Sequence, residues 1–305
     1  DYPVSAPRVS VAVGSTATVD QLVRAAVAGL DPALGMRRFI ATGDIVLIKP
    51  NVGFDRPPQL GATTHPGVVS SLIRMCREAG ATRVLIADNP IESPEICFRR
   101  SGIQHAADER GAEVVLPAAR RFRPLEFGGS PAGSGLRSAL HGWPVLFEPL
   151  AVANKLIGVA PVKDHNLASA SMVLKNWYGL LGGRRNQLHQ VIDEAISELA
   201  LAFSPTLVVA DATRVMMRNG PTGGRASDVV AGGRLGRPAI VAAVDPVACD
   251  AWCCENLLGR DPERLTYLGL AEQKIAAAVA RGERRFGTAR WREYERGGLI
   301  VTTAV

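Results

Sequence analysis

The sequence predicts an α/β fold with a mostly parallel sheet and helices on both of its faces. Apolar runs of strand length alternate with helical segments along almost the whole chain, which is the order expected around a parallel sheet. Several runs, such as residues 45–48, are apolar throughout, as strands buried on both faces are. We expect a single domain over residues 1–305. An alternative is two Rossmann-like lobes, residues 1–150 and 151–305, with a cleft between them.

Eight apolar runs, bounded by turn residues such as Gly43 and Asp44, are predicted as strands. In chain order they are residues 9–13, 45–48, 84–87, 113–116, 156–162, 207–210, 240–244 and 299–303. The segment 117–150 carries glycines, prolines and isolated aromatic residues, so we expect irregular strands and loops there.

Helices are predicted where apolar residues recur three and four positions apart. The segments are residues 20–30, 66–79, a short helix that ends near Gly111, and residues 189–203, 246–257 and 265–280. Pro66 suits a first helical turn because its missing N–H would be unpaired there, with Thr64 or His65 as the cap. Pro246 marks another helix start, and Asp245 before it is expected mainly as a cap.

The composition excludes several classes of protein. With 305 residues, 47 % of them hydrophobic and 21 % charged, the chain is typical of a globular protein with a substantial core. No apolar run approaches the roughly 20 residues of a membrane-spanning helix. Five cysteines without paired C-x-x-C spacing argue against a disulfide framework and against a self-contained zinc or iron–sulfur site.

The formal net charge is +6, and the basic residues are spread over many segments. The densest group lies near the C-terminus, at Arg281, Arg284, Arg285, Arg290, Arg292 and Arg296. No helix-turn-helix or zinc-finger spacing accompanies it, so we expect no nucleic-acid partner. A small anionic ligand is the better use of the positive charge.

The stretch from residue 155 to residue 189 concentrates the unusual chemistry. Its apolar strand is expected to stop at Lys163, whose side chain points the same way as that of His165 because side chains alternate along a strand. The polar residues of this stretch are Lys163, His165, Lys175, Asn176, Arg184 and His189, with a glycine-rich turn before Arg184. We interpret the stretch as the floor of a site.

Polar side chains follow the apolar runs directly at five strand ends, namely Lys49 with Asn51, Asp88, Lys163 with His165, Asp211, and Asp245. In open α/β sheets, ligands bind outside the carboxyl ends of the strands. The lysines would be costly to bury without anions. They either pair internally with Asp88, Asp164, Asp211 or Asp245, or bind the carboxylate or phosphate of a ligand. A lysine with a lowered pKa would suit base or Schiff-base chemistry.

Three sets of roles follow from these positions. Catalytic roles are predicted for Lys163, His165, Lys175 and His189. Ligand contacts are predicted for Lys49, Asn51, Asn176, Arg184 and Gly223, the last in a turn where backbone can approach a ligand. A divalent metal ion is expected at His165, His189 and Asp211, since two imidazoles and a carboxylate leave open positions. The alternatives are ordinary hydrogen-bonded histidines and a loop-stabilising Asp211.

A series of short motifs in this order resembles the DUF362 family, which is named for its unknown function. The motifs include IKPN (48–51), THP (64–66), VKDH (162–165), LKNWYG (174–179), DATRVM (211–216), NGPTGG (219–224) and DPVACD (245–250). The resemblance implies functional positions at Lys49, Asn51, Lys163, His165, Lys175, Asn176, His189 and Asp211. Asp164 departs from the family pattern, which has a basic residue before the histidine.

The resemblance is closest to the branch with twin-arginine export leaders, which implies a periplasmic or exported protein, with a cytoplasmic one as the alternative. Some members of the family are fused to ferredoxin-like cysteine clusters, but no such motif occurs here. The layout is also distantly similar to the nickel-pincer lactate racemase family, by analogy only.

The leading hypothesis is a protein that binds a small anionic ligand, with a divalent metal, at the strand ends and performs acid–base or metal-assisted chemistry. Isomerase, lyase and hydrolase classes stay open. One alternative is a non-catalytic periplasmic carrier of a metal or cofactor. Another is a redox-linked protein that uses Cys97 with an iron–sulfur cluster supplied from outside the chain.

Overall fold

The computed structural model describes residue 6 and residues 8–126, 138–281, 293–294 and 297–305. The strands in these ranges are β1 (Val9–Val13), β2 (Ile45–Lys49), β3 (Arg83–Ile86), β4 (Glu113–Val114), β5 (Phe122–Pro124), β6 (Pro144–Leu146), β7 (Lys155–His165), β8 (Ser169–Ser171), β9 (Leu207–Met216), β10 (Val229–Val230), β11 (Ala239–Ala243) and β12 (Ile300–Ala304). The α-helices in the same ranges are α1 (Val19–Leu30), α2 (Pro66–Glu78), α3 (Pro94–Arg100), α4 (Ile103–Glu109), α5 (Glu148–Val152), α6 (Val173–Asn176), α7 (Ile192–Ala202), α8 (Pro246–Cys253) and α9 (Thr266–Ala280).

Ten strands form one mixed sheet, whose main path runs β12-β1-β11-β9-β7-β2-β3-β4. The neighbours from β9 to β4 are all parallel, and β12 is parallel to β1. Two pairings on this path are antiparallel, because β11 runs against both β9 and β1. The remaining strands, β5 and β6, form a separate two-stranded ribbon within the segment predicted as irregular.

Apolar residues pack on both faces of the sheet. In β1, Val9, Val11 and Val13 belong to one core cluster and Ala12 to another, as the alternation of side chains along a strand requires. The first cluster contains the buried residues of α7, α8 and α9, and the second contains those of α1 and α2. The predicted fold class, a mostly parallel sheet with helices on both faces, is confirmed.

Strands from both halves of the sequence share this sheet. β2 pairs with β7, so that Val46 lies opposite Lys155. β1 lies between β11 and β12. The two halves are therefore hydrogen-bonded to each other, and a boundary near residue 150 separates strands of the same sheet.

Two strands are longer than their apolar runs predicted, since β7 continues to His165 and β9 to Met216. The end of β7 is extended because β8 folds back against it, with Ser171 opposite Lys163 and Ser169 opposite His165. β10 pairs with the end of β9 in the same way. Polar side chains thus lie within strands, where ladder hydrogen bonds fix their backbone.

The helix starts follow local capping chemistry. The side chain of His65 accepts a hydrogen bond from the N–H of Gly67 and caps α2, which begins at Pro66 as predicted. The helix predicted from His189 begins only at Ile192, because Val191 has non-helical backbone angles (φ −130°, ψ 41°). The residues before it form tighter 3₁₀ turns.

All five cysteines are buried and free, consistent with the absence of a disulfide framework. In the described part of the chain, no helix is long and apolar enough to cross a bilayer. The predicted C-terminal arginine group lies outside the described residues, apart from Arg281.

Candidate anion site

The parallel strands β2, β3, β7 and β9 end at one edge of the sheet and bring most of the predicted polar residues there. Asp245 is the exception, because β11 runs antiparallel to β9 and its carboxyl end lies at the opposite edge. Its side chain caps α8 by accepting hydrogen bonds from the N–H groups of Val247 (2.9 Å) and Ala248 (3.1 Å). The expectation that Asp245 joins the common edge is therefore wrong, and its role as a cap is confirmed.

Lys49 is fully buried and paired with a carboxylate. Its Nζ lies 2.7 Å from Oδ1 of Asp88 and donates hydrogen bonds to Oδ1 of Asn176 (2.7 Å) and to the carbonyl of Pro50 (2.9 Å). Oδ2 of Asp88 accepts a hydrogen bond from the N–H of Val52 (2.6 Å). Burial lowers the pKa of Lys49, and the charge of Asp88 acts against that shift. Of the internal pairings predicted for the lysines, the one between Lys49 and Asp88 is confirmed.

The two predicted asparagines connect the elements around Lys49. Nδ2 of Asn176 donates to the carbonyls of Lys49 and Val159, both at 3.0 Å, and so ties α6 to β2 and β7. The N–H of Asn51 donates to Oγ1 of Thr64 (2.8 Å). Both residues lie at the site, and these contacts give them a structural part in holding it.

Gly179 packs directly against the Lys49–Asp88 ion pair. A Cβ at this position would overlap Oδ1 of Asp88 and would lie 2.6 Å from Nζ of Lys49. Its carbonyl also accepts a hydrogen bond from the N–H of Asn89 (2.8 Å). The close approach of backbone to the ion pair explains the glycine of the LKNWYG motif.

Lys163 is 1 % exposed and has no carboxylate within ion-pair distance in the described part of the chain. Its Nζ donates a hydrogen bond to the carbonyl of Ala62 (2.6 Å) and lies 5.1 Å from the ring centroid of Phe54. Burial, followed by the charges of Lys175 and Lys49, lowers the pKa of Lys163 to about 7.

Lys175 is partly exposed, and its Nζ has no hydrogen bond or ion pair among the described residues. Its Nζ lies 5.0 Å from the ring centroid of Tyr178. Burial lowers the pKa of Lys175 to about 7, and the charges of Arg185 and Lys49 add to the shift. The charge of Lys175 is one cause of the lowered pKa of Lys163, so the two amines lie in the same neighbourhood.

Arg185, the neighbour of the predicted Arg184, is the arginine whose charge acts on Lys49 and Lys175. The Nη1 of Arg185 donates to the carbonyl of Leu181 (3.2 Å), and its own carbonyl accepts a hydrogen bond from the hydroxyl of Tyr178 (2.6 Å). Burial lowers the pKa of Arg185, against the effect of Asp88. The side chain of Arg184 is exposed. Consecutive arginines in a glycine-rich turn carry no sequence signal that tells them apart.

His165 is buried near the lysines, but one nitrogen of its ring already accepts hydrogen bonds. Nδ1 accepts hydrogen bonds from the N–H groups of Leu167 and Ala168, both at 3.1 Å, so we assign the proton of the neutral ring to Nε2. Burial, with the charges of Lys175 and Lys163, lowers the pKa of His165 to about 2. The ring stays neutral at physiological pH, which suits a hydrogen-bond donor better than a proton shuttle.

His189 is exposed and stacks on Tyr178, with 5.9 Å between ring centroids. Burial and the charges of Lys175 and Arg185 lower its pKa. Gly223 lies in a turn with φ +58°, and its nearest neighbours are atoms of Met216 and Leu60, not the lysines. The predicted ligand contact at Gly223 thus has no link to the lysines among these contacts.

Asp211 lies at the same edge, but its carboxylate contacts residues other than the lysines. Its Oδ2 accepts a hydrogen bond from the N–H of His65 (2.8 Å) and lies 3.3 Å from Nη2 of Arg214. Its Oδ1 accepts hydrogen bonds from the hydroxyl and the N–H of Thr213, at 2.6 and 3.0 Å. These contacts correspond to the loop-stabilising alternative.

The residues predicted to hold a metal do not fit that role. No group of three or more His, Cys, Asp or Glu side chains in the described ranges is placed to bind a metal ion. His165 has its Nδ1 occupied, Asp211 is bound by its own neighbours, and the nearby lysines would repel a divalent cation. The predicted set of His165, His189 and Asp211 is therefore not assembled, and we derive no step through a metal.

Asp250 also belongs to the site, although a carboxylate inside the helix predicted over residues 246–257 would by default be expected to be exposed. It is fully buried on α8, and it accepts hydrogen bonds from the N–H groups of Val173 (2.9 Å) and Leu174 (3.1 Å) at the start of α6. Burial raises its pKa to about 7. Asp250 fixes the short helix that carries Lys175. The expectation of exposure was wrong because α6 packs over this position.

Fold and site together define an α/β protein with a group of cations at the carboxyl ends of parallel strands. The chain belongs to the family described as "Domain of unknown function (DUF362)", whose profile matches residues 46–255. Membership of the branch with twin-arginine leaders stays a prediction.

A thylakoid-associated protein of Synechocystis sp. is 25 % identical over 252 residues, which cover 80 % of this chain and 72 % of that protein. Among solved structures, the lactate racemase apoprotein from Thermoanaerobacterium thermosaccharolyticum matches with a TM-score of 0.37 and 14 % identity, covering 71 % of this chain and 52 % of that one. A protein from Thermotoga maritima matches with a TM-score of 0.37 and 15 % identity, covering 67 % and 52 %. The chain spans about half the length of these two structures.

Proposed function

We propose that this protein binds a small anionic ligand at the strand ends, with Lys163 and Lys175 as the principal cations. The observation that carries the proposal is that neither lysine has a carboxylate partner in the described part of the chain, although both are largely removed from water. A cation in such surroundings is costly unless an opposite charge is close by. An anion from solution would supply that charge.

Charge balance supports the same proposal. We use the name cation cluster for Lys49, Lys163, Lys175 and Arg185. The carboxylate that lowers the cost of this group is Asp88, and it lies in direct contact with Lys49. With all four cations charged and Asp88 ionised, three positive charges remain without a matching carboxylate. A dianion such as a dicarboxylate or a phosphate would offset most of that excess.

The same lysines can move protons. With pKa values of about 7, Lys163 and Lys175 are present in both the ammonium and the amine forms near neutral pH. One can hold the anion as an ammonium while the other accepts a proton as an amine, since a catalytic base works best with a pKa near the working pH. His165 would contribute a neutral N–H donor. The chemistry we propose is proton transfer to or from the bound anion.

Thermal unfolding in the presence of sulfate, phosphate and malonate at pH 6 tests the binding. An anion at ten times its Kd should raise the free energy of unfolding by about 1.4 kcal/mol. Lys163→Met and Lys175→Met should each lose most of this gain. The matched controls are Lys155→Met and Lys274→Met, whose ammonium groups form ion pairs with Asp44 and Glu194.

Two results would contradict the proposal. One is wild-type protein that no anion stabilises, or that loses the same stabilisation in the control variants as in the site variants. The other is a divalent metal found in stoichiometric amount by elemental analysis and lost in His165→Ala, which would restore the metal hypothesis.

A further inference from the structure

The three lysines of the cation cluster differ in what their Nζ atoms contact. Lys49 has an ion pair and two hydrogen bonds, and Lys163 donates to the carbonyl of Ala62 at 2.6 Å. The Nζ of Lys175 has neither a hydrogen bond nor an ion pair within the described ranges, and it lies 5.0 Å from the ring centroid of Tyr178. When Lys175 loses its proton, therefore, no neighbouring group of the described chain occupies the lone pair of its nitrogen.

The surroundings of Lys175 favour the free amine. Burial and the charges of Arg185 and Lys49 lower the pKa of Lys175. Burial and the charge of Lys175 in turn lower the pKa values of Lys163 and His165. Neighbouring cations together with loss of water are the conditions under which a lysine becomes a nucleophile toward carbonyl carbon. The same cations would hold a carboxylate, so they can place an anionic carbonyl compound beside the amine. Asp250 accepts hydrogen bonds from the N–H groups of Val173 and Leu174, the two residues before Lys175, and so fixes the start of the helix that carries it.

We propose that Lys175 forms an imine with the carbonyl carbon of a small 2-oxo acid, whose carboxylate is held by Lys163 and Arg185. This inference rests on the proposed anion site and names the class of ligand that the site takes. The neutral Nζ attacks the carbonyl carbon, a C=N bond replaces the C=O bond, and the oxygen leaves as water with the two hydrogens of the amine. No oxidant or reductant is required.

A 2-oxo acid fits because its carboxylate and its carbonyl carbon are adjacent. Asn176, the residue after Lys175, is hydrogen-bonded to Val159 of β7, the strand that carries Lys163, and the charge of Lys175 adds to burial in lowering the pKa of Lys163, so an anion bound to one of these lysines lies near the other. A neutral ketone lacks the group that the cation cluster would bind. The site should therefore distinguish carbonyl compounds by their charge.

Reductive trapping tests the inference in the whole 305-residue chain. Wild type is incubated with pyruvate or glyoxylate and sodium cyanoborohydride, and the modified lysines are located by peptide mass mapping. The chain has only five lysines, at positions 49, 155, 163, 175 and 274, so each can be followed separately. We expect modification at Lys175 at least tenfold above that at Lys155 and Lys274. We also expect at least tenfold less trapping with acetone at equal concentration.

Sulfate should compete with pyruvate at Lys175 and leave the modification of Lys274 unchanged, a readout that requires no variant. Lys175→Arg should keep the stabilisation by sulfate and lose the trapping. Modification that follows exposure alone, with Lys175 no higher than Lys274, overturns the inference. If sulfate still stabilises the protein in that case, the imine fails and the anion site stands; if sulfate has no effect either, both fail.

Discussion

Lys49 and Lys175 are neighbours in the same cluster, but their surroundings are opposite. Lys49 is enclosed by an ion pair with Asp88 and by hydrogen bonds to Asn176 and Pro50, whereas Lys175 has no such partner in the described chain. Burial alone therefore does not indicate function, because a lysine with its counter-charge already in place belongs to the framework. The absence of a counter-charge is what points to a ligand. Five predictions can break or sharpen this comparison.

The largest effect is expected for Asp88→Asn, which leaves Lys49 buried without its counter-charge. Breaking a buried ion pair on one side costs about 3–5 kcal/mol, and the measurement is the free energy of unfolding in urea. Glu113→Gln is the matched control, because it removes a carboxylate from an exposed ion pair with Arg83 and should change stability little. Equal effects of the two substitutions would show that Lys49 does not depend on Asp88.

Gly179→Ala should come next, because the new methyl group would overlap the Lys49–Asp88 pair. Overpacking of this kind costs about 1–3 kcal/mol. Gly269→Ala on α9 is the control: nothing lies within 4 Å of a Cβ at that position, and alanine favours a helix over glycine by about 1 kcal/mol. If Gly179→Ala were as stable as wild type, the ion pair would not be in close contact with this backbone.

Lys163→Met should change the free energy of unfolding in the opposite direction and raise it. It removes a buried charge without a carboxylate partner and keeps a side chain of similar length beside Phe54. At pH 6 without added anion, we expect the variant to be about 1 kcal/mol more stable than wild type. Urea denaturation measures the difference, with Lys155→Met as the control. A loss of several kcal/mol would place Lys163 in the same structural class as Lys49.

The pH dependence of stability gives a smaller but more specific signal. The pKa of Lys175 is about 7 in the folded protein and 10.5 when unperturbed, so between these values the unfolded chain binds the additional proton. The free energy of unfolding of wild type minus that of Lys175→Met should therefore rise from pH 7 to pH 10.5 and be flat below pH 7. Added sulfate should stabilise wild type most below pH 7, where the ammonium predominates. A difference that falls as pH rises would contradict the lowered pKa.

The smallest effect is expected for Arg184→Ala. Its side chain is exposed, so stability should change by no more than about 0.5 kcal/mol and the affinity for sulfate should hardly change. Arg185→Ala is the informative partner, because Arg185 is largely buried beside Lys175, and its loss should weaken sulfate binding. Titration calorimetry of both variants checks this. Equal affinities would remove Arg185 from the site.

Much of the fold could be predicted, because alternating apolar runs and helical stripes report directly on which faces are buried. Lys49 and Lys163 could be placed at one edge for the same reason, since parallel strands end together, whereas Lys175 reaches the site on the short helix α6. The direction of β11 could not be predicted. A continuous apolar run has the same appearance in a parallel and an antiparallel strand, and this is why Asp245 was assigned to the wrong edge.

The details of the site depend on contacts between distant segments. Asp88 was recognised as a strand-end residue, but only the structure shows that it pairs with Lys49 and not with another lysine. The role of Asp250 arises from the packing of α8 against α6, which are far apart in sequence. The ring of His165 is bound to a turn that follows it, and sequence shows the histidine without showing which nitrogen is occupied.

Through the carboxylate of Asp250, the position of Lys175 depends on helix α8 as well as on the sheet. The charge of Lys49, at the end of β2, acts on the amine, whereas the short helix that carries the amine is hydrogen-bonded to α8. Movement of α8 by a fraction of an ångström would therefore shift the amine relative to Lys163 while the strands stayed still. Substitutions along α8 can therefore change the distance between the two amines, even at residues that do not contact the ligand.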